Sequence, residues 1–176
     1  MHLQEVLAAF EGHDVQVVLH AGDVGSHGGH AEVLSSFQRC ANCIAVRGNV
    51  DDTASIEELP EHVSQTIAGW EIFVTHIADP GQGQEGLRGV PDRTPDIVIH
   101  GHSHKYGVRK EDGVLFINPG SAGPARFKLP RTAAIVELRP KEQGTPPSIS
   151  RIDLAAKAPK RIQAASTGAQ KRRRKA

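Results

Sequence analysis

Apolar residues in the first third of the chain recur in two alternating rhythms. Leu3, Val6, Leu7 and Phe10 fall at helical spacing, and Gly12 stops the run. Val15-Gln16-Val17-Val18-Leu19 is short and β-branched, as a buried strand requires, and runs into the glycine-rich turn Ala21-Gly22-Asp23-Val24-Gly25. A second helix is predicted over about 30–39, with Val33, Leu34 and Phe37 on one face. A second strand, Ile44-Ala45-Val46, ends in Arg47-Gly48-Asn49-Val50-Asp51. Alternation of helix and strand, with polar residues just past each strand, predicts a parallel α/β sheet whose site lies at the carboxyl ends of its strands.

Beyond Pro60 the rhythm changes to that of hairpins. Segments 63–68 and 70–75 read as paired strands around Gly69, closing on His76. Segment 79–95 is rich in Gly, Gln and Pro and reads as a loop, with a short helical turn expected at 85–88. Ile97-Val98-Ile99 then delivers His100-Gly101-His102-Ser103-His104. Further strands are expected near 106–109, 114–117, 133–138 and 148–154, and Asp112-Gly113 marks a tight hairpin turn. No internal repeat is visible.

Composition narrows the class. A chain of 176 residues with 38% hydrophobic and 23% charged residues fits one soluble domain with its own core. No apolar run reaches the roughly 20 residues of a membrane span, and the N-terminus lacks the pattern of a secretory signal. Two cysteines, Cys40 and Cys43, make no disulfide framework, so a cytoplasmic protein is expected. Their CxxC spacing lacks a second pair, and packing between helix and strand is the favoured role.

Charge is unevenly placed. Eight Lys or Arg and no acid fall in 156–176, leaving 13 basic against 20 acidic residues over 1–155, a net charge of −7. The domain is therefore assigned to 1–155 and a basic, disordered tail to 156–176. An acidic domain is no general nucleic-acid clamp. The tail reads as a solvated extension or a nucleic-acid contact.

The chemistry sits after four strands, in Asp23, Asn49, His76, and His102 with His104. Carboxylate, amide oxygen and imidazole form a mixed O/N set suited to Mn, Fe, Zn, Ni or Co. Gly22, Gly48 and Gly101 leave room for the backbone beside them. Each fragment alone is weak, but their order, each after an apolar strand, is specific.

That ordered set, Gly22-Asp23, Gly48-Asn49-Val50-Asp51, His76 and Gly101-His102-Ser103-His104, resembles the calcineurin-like metallophosphoesterase superfamily. The continuation Ile117-Asn118-Pro119-Gly120-Ser121, then Arg126-Phe127-Lys128-Leu129-Pro130, resembles its small single-domain phosphodiesterase branch. The resemblance implies a four-layer α/β/β/α sandwich that hydrolyses phosphodiesters with two divalent metal ions, Mn2+ first among them, and an activated bridging water. It implies that Asp23 bridges the ions, that Asn49, His76 and His102 complete the second site, and that His104 belongs to the first. Catalysis falls to Asp23, Asn49, His76 and His102. Larger phosphatases of the family often carry a histidine where Val50 stands, which favours diesters with good leaving groups here. Competing expectations are a phosphomonoesterase and a non-catalytic scaffold like the retromer subunit of the same fold. The scaffold branch has an apolar residue in place of His76. The partner is a small phosphodiester, and a homo-oligomer is compatible with the sequence.

The family begins with a strand ending in Asp-x-His, which this sequence does not show, and His2 is no substitute. The expectation is a sandwich lacking its first strand, open sheet edges, low stability and weak activity, with restored activity if an upstream Asp-x-His were supplied. Among the remaining residues, His13, His20, His27, His30 and His62 read as structural or solvated, and His100 as core. Asp51 is expected to orient a ligand or cap a turn. Arg47 and Ser121 face either substrate or surface.

Overall fold

A computed structural model describes residues 3–25, 30–51, 59–89, 91–124 and 128–154. His2, His27, Arg126, Phe127 and the tail lie outside the described residues. The first predicted helix is α1 (Leu3–Glu11), which buries Val6 and Leu7. Strand β1 (Val17–His20) follows, then α2 (His30–Cys40) and β2 (Asn42–Ala45), with β1 and β2 paired in parallel. Two hairpins and a single strand come next: β3 (His62–Ile67) with β4 (Trp70–Thr75), β5 (Ile97–Ile99), then β6 (Gly107–Glu111) with β7 (Val114–Asn118). Strands β8 (Thr132–Glu137) and β9 (Ser148–Asp153) form a closing antiparallel pair.

The five middle strands make one sheet in the order β3-β4-β5-β7-β6. Its centre, β4-β5-β7, is parallel, and an antiparallel hairpin partner covers each side. The predicted parallel arrangement thus holds at the centre, while the tight turns at Gly69 and at Asp112-Gly113 reverse the chain at both edges. Asp112 and Gly113 both adopt positive φ, 48° and 84°, as a two-residue hairpin turn demands.

Period-two alternation sorts the side chains into layers. Ile72, Val74, Ile97, Ile99 and Ile117 share one face with Ala21 and Val46, and Val136, Leu138 and Ile149 pack against them. Phe73, Val98, Val114 and Phe116 occupy the opposite face, covered by Ala78 and Leu87. A third cluster, Val6, Leu7, Val18, Phe37 and Leu154, joins the two helices to β1 and the end of β9. The helices, the β1-β2 and β8-β9 pairs, the five-stranded sheet and an outer segment therefore stack in succession. That outer segment is a 3-10 run over Pro80–Gly86, earlier than the turn expected at 85–88. Pro80 presets φ, and the Asp79 side chain accepts from Gly81 N at 3.0 Å, so the helical turn starts there.

Among the described residues β1 pairs only with β2, and β8 only with β9. A cavity of about 420 Å3 lies against β1, β8 and α1, lined by Leu3, Val6, Phe10, Val18 and Ala133, and it runs on to His76. The start of β8 is tied to α1 by Arg131, whose Nη1 meets Glu5 at 2.8 Å with the guanidinium almost wholly buried. Cys40 is exposed at the end of α2; Cys43, on β2, packs with the third cluster, and burial pushes its thiol pKa up.

Candidate active site

Four strand ends converge. β1 runs out through Ala21 and Gly22 to Asp23, β2 through Val46 to Asn49, β4 directly into His76, and β5 into 100–104. The Asn49 Oδ1 lies 2.9 Å from His76 Nε2 and 2.9 Å from His102 Nδ1. Asp23 Oδ1 is 3.4 Å from His76 Nε2, and Asp23 Oδ2 is 3.8 Å from His104 Nε2. The rings of His76 and His102 meet edge to face at 5.3 Å. All five candidate residues thus belong to one cluster, which His104 joins through Asp23. His76 is buried, whereas Asn49 and His102 face solvent.

The His76 tautomer follows from its surroundings. Nδ1 lies 2.7 Å from the Ala21 carbonyl, so that nitrogen carries the proton and donates it. The Nε2 lone pair is left facing oxygens of Asn49 and Asp23. Three electron-rich atoms at such spacing repel one another unless a cation or a proton lies among them. A backbone carbonyl holding the far nitrogen is also the common second support of a metal-binding histidine. Among the described residues no three His, Cys, Asp or Glu side chains are by themselves arranged to hold an ion. Asn49 Oδ1 is the atom that joins His102 to His76.

Close packing explains the glycines. Gly22 has φ +86°, and a Cβ there would stand 2.7 Å from His76 Nδ1 and 2.8 Å from Gly48 N. A Cβ on Gly48 would run into the amide and carboxylate of Asp23. Asp23 itself sits at φ 55°, His102 at 64° and His104 at 57°, which is backbone strain concentrated on three of the five cluster residues.

Asp51 is buried and does what a turn-capping residue does. Its carboxylate accepts from Gly48 N at 2.8 Å, Val24 N at 3.2 Å and Gly25 N at 3.3 Å. Arg47 pairs with Glu61 at the surface, and the Ser121 carbonyl accepts from Thr132 N at 2.9 Å. His62 packs on Phe73. His100 is core, and burial lowers its pKa to about 4. Burial also lowers the pKa of His20, against the pull of Asp51 and Asp23. Asn118 is buried and bonded into the 101–103 turn. The signal for it was a polar side chain closing the apolar run 114–117.

Comparison with known proteins shows the family. Residues 1–141 match the calcineurin-like phosphoesterase superfamily domain, and the chain belongs to that family. A phosphodiesterase of Methanocaldococcus jannaschii is 28% identical over 154 residues, covering 80% of this chain and 87% of that protein. A probable metallophosphoesterase of Methanothermobacter thermautotrophicus is 28% identical over 119 residues, 66% of each chain. A solved archaeal phosphodiesterase superposes with a TM-score of 0.66 at 25% identity, covering 87% of this chain and 92% of the other. Vps29 from Entamoeba histolytica, solved with zinc, shares the fold at 20% identity, with a TM-score of 0.58 over 86% and 89% of the two chains. The class is that of a metallophosphoesterase.

Proposed function

We propose that this protein hydrolyses phosphodiester bonds by means of two divalent metal ions, with Mn2+ the first choice. Supporting this most directly is the His76 Nε2 lone pair, turned by the Ala21 carbonyl toward Asn49 and Asp23. A carboxylate, an amide oxygen and imidazoles suit Mn, Fe, Zn, Ni or Co. Asp23 would bridge the ions, with Asn49, His76 and His102 on one side and His104 on the other. Two such ions, when bound, clamp a phosphate between them and lower the pKa of a shared water.

The chain's own residues divide the remaining work. Solvent-facing Asn49 and His102 meet the phosphate, Asn49 through its amide. Buried His76 and Asp51 fix the floor, so little reorganisation is needed when charge develops. Val50 lines the cavity beside them and brings no proton to a leaving group. A good leaving group is therefore required, which points to diesters or cyclic esters before phosphomonoesters. A scaffold role of the Vps29 kind is the competing reading; the resemblance gives that branch an apolar residue at the place of His76, and this chain keeps the histidine.

Hydrolysis of bis-p-nitrophenyl phosphate with Mn2+ tests the reading. Activity that EDTA abolishes and Mn2+ restores is expected, with a loss of ~100-fold or more in His76→Ala. Undiminished activity in His76→Ala would place catalysis elsewhere.

A further inference from the structure

The turn that carries His102 and His104 is strained and does not hold itself. Ser103 N donates back to the Gly101 carbonyl at 2.8 Å, closing a three-residue turn around His102 at φ 64°. Turns of this kind with positive φ at the centre are rare and strained. His104, two residues on, is also left-handed at φ 57°. Neither histidine has glycine's freedom, so a relaxed loop would swing both imidazoles away from Asn49 and Asp23.

One buried side chain opposes that relaxation. Asn118, at the end of β7, donates Nδ2 to the Gly101 carbonyl at 2.7 Å and to Ser103 Oγ at 3.1 Å. Its Oδ1 accepts from Gly120 N at 2.9 Å, which fixes which way the amide points. The Gly120 amide is itself held in a crowded turn, since a Cβ there would run into Thr132 Oγ1. The strut thus runs from the rigid β7 end to both flanks of His102.

We propose that Asn118 is a positioning residue for the metal centre. It keeps His102 and His104 in their strained, ligand-presenting conformation without touching metal or substrate. This rests on the metal reading above. Residues that orient first ligands typically control metal affinity 10–100-fold.

Asn118→Asp isolates the role. It keeps the acceptor for Gly120 N but turns a second oxygen on the Gly101 carbonyl, so the strut repels the turn it held. Isothermal titration of the full chain with Mn2+ is expected to show affinity falling ~10–100-fold, with melting in EDTA moved by only a few degrees. A purely structural role predicts the reverse: a lower melting temperature in EDTA and unchanged Mn2+ affinity in the folded protein. That second result, with Mn2+ binding intact in the unaltered protein, overturns the assignment alone. Failure of the unaltered protein to bind Mn2+ overturns the metal reading and this inference with it. If Asn118→Asp does not fold, Ser103→Ala decides, being exposed and outside every strand. Several-fold weaker Mn2+ binding supports the strut, and unchanged binding overturns it.

Discussion

Asp51 and Val24, 27 positions apart in sequence, are joined by a hydrogen bond of 3.2 Å from the Val24 amide to Asp51 Oδ2. Because the same oxygen accepts from Gly48 N at 2.8 Å, one carboxylate anchors both the loop bearing Asp23 and the loop bearing Asn49. The first two strands are tied at their carboxyl ends by a side chain as well as by their ladder.

Replacing that carboxylate tests the anchor. Asp51→Asn keeps the shape but turns an NH2 group toward amide donors. Bonds to a charged acceptor contribute ~1.5–3 kcal/mol, so a fall in melting temperature of roughly 5 °C is expected, together with lost diesterase activity. Thermal melts with an intact far-UV spectrum check it.

The approach of Gly48 to Asp23 leaves no room for a methyl group. Gly48→Ala is expected to displace Asp23 and reduce activity at least ~100-fold, since a misplacement of about 1 Å costs that much. A control at Gly113, whose Cβ would meet nothing within 4 Å, is expected to retain activity in Gly113→Asn. Asparagine tolerates the positive φ there.

Metal binding is expected to stabilise the fold by mass action. At Mn2+ near 100 times its Kd the gain is about 2.7 kcal/mol, or roughly 5–10 °C in melting temperature. Scanning fluorimetry with and without EDTA measures it. His76→Ala is expected to erase the shift, and a full shift in that variant would remove His76 from the site.

His100 gives the EDTA-treated protein an acid-sensitive core. Burial lowers its pKa from 6.5 to about 4, so between those values the unfolded chain binds a proton that the folded chain refuses. Stability from this group is complete above pH 6.5 and falls as pH drops toward 4, by about 3 kcal/mol in total. Urea titrations in EDTA at pH 7 and pH 4.5 are expected to differ by much of this amount. His100→Gln should flatten the slope.

On the proposed mechanism Val50 leaves the departing group without a proton donor. Introducing a proton donor by Val50→His is expected to raise the rate on poor leaving groups by ~100-fold and to change little for p-nitrophenyl esters. Equal gains on both substrates would mean that leaving-group protonation is not what limits the enzyme.

Most of the cluster was legible in the sequence because each member closes an apolar strand: Asp23 after 15–19, Asn49 after 44–46, His76 after 70–75 and His102 after 97–99. The β1-β2 pair and the five-stranded sheet pack face to face with these ends together, so a polar residue after each apolar run marked the site. The helical turn shifted to Pro80–Gly86 because Asp79 caps it, a side-chain choice that periodicity does not register.

Residue order and hydrophobic spacing gave away the strand succession, and the motif resemblance implied the layers and the candidate site. Only the tertiary structure decided the His76 tautomer, the double anchorage by Asp51 and the strut formed by Asn118. Those depend on hydrogen bonds between segments far apart in the chain, and a hydrogen bond is directional over a few tenths of an ångström. Apolar burial lacks that directionality, which is why it can be read from spacing and the bonds cannot.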